Sequence, residues 1–470
     1  MKFPLLPKED IGDGSSGRSY IFFIRKKIKP PNVSPYRAKP LPPKNRFGAR
    51  NPDIFLYIID ALRPDHLGCY GYFRSTSPSI DALALESAVY VNAYACSSWT
   101  RTSAASILTG LRPKDHKTLE RDDVLTTSLI TLPEKLKEFG YETIAVVANG
   151  NIHRVFGFDQ GFDHFHYLGG LAKSSQVHRE VASILAARGK KAERKPLFLL
   201  LWTIDPHDPY EKDLANPDEF GLNYFHPIPP YPGNLLVNIR SGMVKLSPSQ
   251  KGYLKALYDQ EIRANDRSFG QFIHLLKSAG LYQSSIILLT SDHGEEIFDH
   301  GSVGHGTSLY YEQIRVPFLL KAPFINHGLH QERIQHIDIF PTILSILDKE
   351  KPDYLPGQSL LTLEPEERPL LFELSLDGNT QMAIIDGPIK IIYYEKKAGE
   401  KDFQPYCELF RDKDPAELLP LRPSTPEEKF TFQKLLLYKT ISEYYPQKES
   451  QIKKIPVEVE RQLRTLGYIK

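Results

Sequence analysis

Cysteine, long apolar runs and a surplus of either charge are what this chain of 470 residues has little of. Its three cysteines, Cys69, Cys96 and Cys407, are too few and too scattered for a disulfide framework or a zinc knuckle, and they fit a reducing compartment. A formal net charge of +2 implies no bulk electrostatic partner, which removes support for nucleic-acid binding. No apolar run reaches membrane-spanning length, and the stretch Tyr20 to Ile24 is far too short, so no transmembrane segment is expected. Residues Met1 to Asp10 put prolines and acids where a signal peptide needs an apolar core, so a cytoplasmic location is expected. Internal repeats are also missing.

What remains is an ordinary globular composition, 41% hydrophobic and 25% charged. A chain this long exceeds what one core usually organises, which predicts a large domain with a smaller companion. Residues 1–50 are rich in Pro, Lys and Arg, as in Arg25-Lys26-Lys27-Ile28-Lys29-Pro30-Pro31, and read as a basic, solvated N-terminal arm. The large domain is expected over 51–347. Beyond it, strand-like pieces at Gln381 to Ile385 and Ile389 to Tyr394, then helical character from Glu427 to Tyr445, predict a smaller C-terminal α+β subdomain over 348–470.

Order should begin at Ile54-Phe55-Leu56-Tyr57-Ile58-Ile59, a continuous β-branched and aromatic run that reads as a strand buried on both faces. Similar runs recur at Ile144 to Val147, Leu197 to Leu201 and Ile286 to Leu289, separated by helical stretches such as Leu132 to Phe139 and Tyr253 to Ala279. This alternation predicts an α/β fold with a large, mostly parallel sheet covered on both sides. Each run ends on polar residues: Asp60, then Asn149, then Asp205 and His207, then Asp292 and His293. Ligands of open α/β sheets bind beyond the carboxyl ends of the strands, so these residues should converge on one crevice.

Asp292-His293-Gly294-Glu295 sets a carboxylate beside an imidazole on a turn, a donor pair suited to a divalent ion such as Mn, Zn or Ca. Asp60 at another strand end strengthens that reading. The segment Trp99 to Gly110 is a hydroxyl-rich turn entering a helix, where free N–H groups and the helix dipole can hold a phosphate or sulfate. Plain capping by Thr or Ser is the simpler account of that segment alone.

The block Ile59-Asp60-Ala61-Leu62-Arg63-Pro64-Asp65-His66-Leu67-Gly68-Cys69-Tyr70-Gly71, followed by Trp99 to Gly110, resembles the sulfatase N-terminal signature in a threonine-bearing variant. Further blocks follow in the same order, among them Asp205-Pro206-His207-Asp208-Pro209-Tyr210, Ser291-Asp292-His293-Gly294-Glu295, Gly304-His305-Gly306, Arg315-Val316-Pro317 and Asp338-Ile339-Phe340-Pro341-Thr342. The resemblance covers nearly everything after residue 50 and implies an alkaline-phosphatase-like three-layer sandwich. It also implies a metal-dependent hydrolase acting on a phosphodiester, phosphonate ester or sulfate ester. By the same resemblance Asp60, Thr100, Asp292 and His293 would hold a divalent ion (Mn, Zn, Ca or Mg), Thr100 would be the nucleophile, and His207 and His305 would assist catalysis. Asn149 and Arg101 would bind the anion, and Arg63 would be structural.

Four positions depart from the family pattern. Thr100 stands where sulfatases carry the Cys or Ser converted to formylglycine, so no formylglycine is expected; Ala104 replaces the Arg four residues on, and Ala61 replaces a second metal-binding Asp. Asn149 occupies a frequent Lys position. Cys96, the rival nucleophile, lacks the Pro and Arg neighbours of a modification motif. A formylglycine hydrate expels sulfate by re-forming its aldehyde, whereas a threonine ester must be opened at phosphorus or sulfur, which phosphoryl groups permit more readily. The expected substrate is therefore a small-molecule, glycan or lipid head-group ester. A true sulfuric ester hydrolase, a head-group transferase and an inactive anion-binding protein stay open as alternatives.

Overall fold

A computed structural model describes residues 51–444 except 190–193, 214, 232, 363–367, 398, 401 and 412–413, together with Val457 and Arg461. The expected arm over residues 1–50 lies outside the described residues.

The first apolar run forms β1 (Ile54–Ile59), with all six side chains buried. Side chains alternate across a strand, so Ile54, Leu56 and Ile58 enter one core while Phe55, Tyr57 and Ile59 enter another. The same division holds along β5 (Leu197–Thr203) and β6 (Ile286–Thr290), which pair with β1 in parallel on its two sides. Around this centre lie β2 (Ala88–Tyr94), β3 (Glu142–Val147), β4 (His164–Tyr167), β9 (Phe318–Lys321) and β10 (Gly328–Gln335). A separate two-stranded ribbon is made by β7 (Glu296–Ile297) and β8 (Val303–Gly304). The eight-stranded order is β10-β2-β9-β6-β1-β5-β3-β4, and β9 alone runs antiparallel to its neighbours.

Helices cover both faces. Thr100–Thr109, Leu132–Glu138 and Ile339–Ile346 pack on one, and Ser174–Gly189 with the long Pro248–Ser278 on the other. This is the expected three-layer α/β sandwich. The four expected strands all form; β2 and β10 escape an apolar-run search because they mix polar and half-exposed positions towards the sheet edge.

The C-terminal residues build a second sheet, an antiparallel meander of β11 (Leu370–Leu376), β12 (Asn379–Asp386), β13 (Ile389–Lys396) and β14 (Tyr406–Arg411). One face receives Leu435 and Tyr438 from the helix Pro426–Tyr444. Its other face packs on Tyr94, Trp99 and Leu309 of the large domain, so the small sheet buttresses the residue directly before Thr100. Among the described residues, no helix is long and apolar enough to cross a membrane.

A buried ion pair ties this subdomain down: Lys390 Nζ lies 2.6 Å from Glu417 Oε1, and Glu417 Oε2 accepts from the Tyr311 backbone N–H at 2.6 Å. Removing one member strands the other charge in the interior. Lys390→Met should lower the unfolding free energy by about 3–5 kcal/mol in urea titration. Adding Glu417→Gln should restore most of the loss; a double variant as weak as the single one would mean that packing, not charge, is what Lys390 contributes.

Candidate active site

Asp60 follows β1 and Asp292 follows β6, so two adjacent parallel strands deliver two carboxylates to one point, both fully buried. Asp60 Oδ2 accepts from Trp202 Nε1 at 3.0 Å and from the Asn149 side-chain amide. Asp292 Oδ1 accepts from the backbone N–H groups of Ala61 at 3.1 Å and His293 at 2.9 Å. Each carboxylate thus spends one oxygen on holding its orientation. The other oxygens, Asp60 Oδ1 and Asp292 Oδ2, are buried without a hydrogen-bond partner.

His293 Nδ1 lies 2.8 Å from the Gly294 carbonyl oxygen, so the ring proton of a neutral imidazole sits on Nδ1 and donates there. Nε2 then presents a lone pair, 3.2 Å from Asp292 Oδ2 and 3.8 Å from Asp60 Oδ1. Thr100 Oγ1 stands 3.1 Å from the same nitrogen. Burial lowers the His293 pKa to about 4, which keeps the ring neutral. Burial raises Asp60 and Asp292 to about 6, and at Asp60 the Asp292 charge adds to the effect. One atom each from Asp60, Asp292 and His293 lies within 4.8 Å of the others. Electron-rich atoms with no proton to share, aimed at one point, fit a divalent cation.

Thr100 opens the helix Thr100–Thr109, all of it buried, with Trp99 at the cap position and no side chain capping the end. The hydroxyl is therefore not spent as an N-cap, and it faces the carboxylate pair with the positive end of the helix dipole behind it. Cys96 is fully buried, and burial pushes its thiol up to about 12, so it makes a poor thiolate. Ala104 belongs to the core beneath the helix.

His207, beyond β5, sets Nδ1 2.7 Å from the Asp208 carbonyl oxygen. Burial pulls its pKa down, but the charges of Asp208, Asp60 and Asp292 outweigh this and leave it raised. His305 follows β8 and sets Nδ1 3.0 Å from Glu295 Oε2. Burial first, then His293, His207, Arg240 and Arg121, hold it well below the ordinary histidine value. The His305 ring stacks 4.2 Å from that of His293 and meets that of His207 at 4.8 Å. Three imidazoles therefore line the crevice side by side, one raised and two lowered in pKa.

Two expected anion binders are employed otherwise. Asn149 turns its amide onto Asp60 Oδ2, behind the cluster. The Arg101 guanidinium stacks 3.5 Å over Phe156 and donates to the Arg121 carbonyl and, at 3.1 Å, to Asn151 Oδ1, holding the loop that follows the helix. A guanidinium one position into a buried helix points where the helix phase sends it, and that direction is not readable from the motif. Arg63 is structural as expected, clamped between Asp65 and Asp299 with its Nη1 also 2.9 Å from the Glu295 carbonyl oxygen. Gly294 is needed for space: a Cβ there would collide with the Glu312 backbone.

With this geometry in place, comparison with known proteins is informative. The sulfatase family profile matches residues 52–349, well over half of the chain. The chain belongs to the sulfatase family. An arylsulfatase of Clostridium perfringens is 24% identical, with 88% of this chain and 100% of that protein covered. Among solved structures, BT4656 bound to its substrate D-glucosamine-2-N,6-O-disulfate superposes with a TM-score of 0.68 at 18% identity, over 84% of this chain and 98% of that one. The phosphonate monoester hydrolase SpPMH from Silicibacter pomeroyi gives 0.67 at 18%, over 83% and 96%. The fold is thus that of the alkaline-phosphatase-like sulfatases, and this sulfatase-family chain is a hydrolase of sulfuric or phosphoric esters.

Sequence reasoning passed over three side chains that shape the site. Trp202 directly follows the expected run Leu197 to Leu201, where it extends the strand, and its indole N–H orients Asp60. Tyr258, deep in the long helix, donates to the Ala61 carbonyl at 2.7 Å and accepts from Arg63 N at 3.0 Å. Glu295 stood in the quoted motif, but its contact with His305 is visible only in three dimensions.

The carboxylate pair makes the cation-free protein pH-sensitive. Both groups have folded pKa values of about 6 against an ordinary 3.8, so their stabilising contribution is full below about pH 4 and is lost as pH rises through about 6. In chelator above pH 6, Asp60→Asn should raise the thermal midpoint by a few degrees and remove the stabilisation that added Mn, Zn or Ca gives the wild type. A lower midpoint at every pH would show that the carboxylate's bonds to Asn149 and Trp202 outweigh its repulsion with Asp292.

Proposed function

We propose that this chain cleaves a phosphodiester, phosphonate ester or sulfate ester with Thr100 Oγ1 as the nucleophile. The observation that carries this is the position of that hydroxyl: at a buried helix start, 3.1 Å from His293 Nε2, facing two unpartnered carboxylate oxygens. Asp60 Oδ1, Asp292 Oδ2, His293 Nε2 and Thr100 Oγ1 would hold a divalent ion, which when bound supplies Lewis acidity to the ester and eases loss of the Thr100 proton. Ala61 carries no carboxylate where a second acidic ligand would stand, so the shell is leaner than the resemblance alone implies.

The remaining roles belong to the imidazoles. His207, with Nδ1 anchored on Asp208 and its proton held by three neighbouring carboxylates, serves as the general acid for the leaving group. His305, kept neutral and oriented by Glu295, serves as the hydrogen-bonding partner of the developing anion. Threonine has no geminal hydroxyl with which to expel the bound group, so water must open the Thr100 ester at phosphorus or sulfur. That requirement favours phosphorus esters. The likeness to a phosphonate monoester hydrolase supports this reading, while the likeness to a protein solved with a disulfated sugar supports a glycan sulfate as the second one.

Turnover by the metal-loaded protein on matched nitrophenyl phosphodiester, phosphonate monoester, phosphomonoester and sulfate substrates tests the proposal. Phosphonate or phosphodiester cleavage is expected, with Thr100→Ala reducing kcat/KM by at least about 10³-fold. Cleavage of sulfate alone would overturn the phosphorus preference, and undiminished turnover by the variant would overturn the nucleophile. His207→Gln should cost about 10²–10⁴-fold in kcat. The loss should be concentrated on esters with poor leaving groups; equal losses across a leaving-group series would remove the general-acid role.

A further inference from the structure

The short helix Leu235–Arg240 is fastened to both catalytic loops. At its start Asn234 caps the helix through Oδ1, while its Nδ2 donates to Asp208 Oδ2 at 2.8 Å, beside His207. Leu236 packs on Val303 of β8, the strand that leads to His305. At its end Arg240 Nη1 lies 3.4 Å from the His305 carbonyl oxygen and over Gly304. The helix therefore spans the loops that carry His207 and His305 and borders the crevice.

Two guanidiniums lie near His305, and their situations differ. Arg121 is committed: its Nε and Nη2 reach both oxygens of Asp377 at 2.5 Å each. Arg240 is exposed, and among the described residues it makes no carboxylate ion pair; its hydrogen bond is to a carbonyl, at the long end of the range. Its charge also acts on the buried Glu295 carboxylate behind Gly304, but an exposed guanidinium at an acid-rich site, with no carboxylate among the described residues paired to its fork, is suited to receive a planar or tetrahedral anion.

We propose that Arg240 is a specificity-determining residue that binds a second anionic group of the substrate, a carboxylate, sulfate or phosphate next to the ester being cleaved. The proposal rests on the ester-hydrolase reading above and narrows its substrate class to esters bearing at least one further negative charge. Arg240 binds and orients; it takes no part in bond making.

The test compares two nitrophenyl esters that differ only by one carboxylate, in the wild type, Arg240→Gln and Arg240→Lys, all metal-loaded. Wild type should favour the charged ester about tenfold in kcat/KM, mostly through KM; Arg240→Gln should bring the ratio near one, and Arg240→Lys should recover part of it. An unchanged ratio in Arg240→Gln, or an equal fall on both esters, would overturn the proposal. A calorimetric comparison of methanesulfonate with 3-sulfopropanoate separates this from failure of the enzymatic reading. The carboxylate should tighten binding about tenfold in the wild type and not in Arg240→Gln whether or not any ester turns over, and equal affinities in the wild type would count against the second-anion site.

Discussion

Two carboxylates and an imidazole lone pair buried within reach of one another repel, and the surrounding structure is arranged to keep them there. Trp202 and Asn149 hold one carboxylate, the Ala61 and His293 amides hold the other, and the Gly294 carbonyl turns the imidazole so that its lone pair joins them. Each of these groups sits at a strand end or on the turn just after it. The central strands β1, β5 and β6 are buried on both faces and almost wholly apolar, so polar groups near the middle of the sheet collect where those strands end. Architecture and site are therefore one constraint: the apolar strands converge, and the charges they exclude gather where they stop.

Strain appears at the same point. Ala61, directly after Asp60, has φ of 54°, a left-handed conformation that costs a residue with a Cβ about 1 kcal/mol or more. Its backbone makes that conformation worthwhile, donating its N–H to Asp292 and accepting from Tyr258 through its carbonyl. The residue that lacks a ligating side chain thus still serves the cluster through its main chain. The small C-terminal sheet contributes from further away by packing on Trp99, the residue that sets the start of the helix carrying Thr100.

Of the four departures from the formylglycine pattern, the one at Thr100 bears most directly on the reaction proposed above. Thr100, at the start of a buried helix and 3.1 Å from His293 Nε2, offers one hydroxyl and a methyl group where an aldehyde hydrate would offer two hydroxyls. The consequence concerns the second half of the reaction, release of the bound group, more than the first. The helix Leu235–Arg240 concerns neither half; it acts on which ester enters.

Much of this was legible in the order of the residues. Runs such as Ile54 to Ile59 announce a doubly buried strand because they are short, unbroken and rich in β-branched and aromatic residues, and the polar residues that end those runs mark the crevice. Asp60, Thr100, His207, Asp292, His293 and His305 were all expected there, and the structure brings them together. Arg101 and Asn149 were expected to bind the anion by the family resemblance, but helix phase and the reach of an amide direct them to a loop and to Asp60. Trp202, Tyr258 and Arg240 were assigned no role, since an indole after an apolar run, a tyrosine in a long helix and an arginine among polar residues look like core or surface until their neighbours are known. Local pattern determined the strands, their ends and the reactive residue types. The fold alone decided which side chain meets which, because those contacts join segments from ten to more than two hundred residues apart and depend on register, helix phase and side-chain reach.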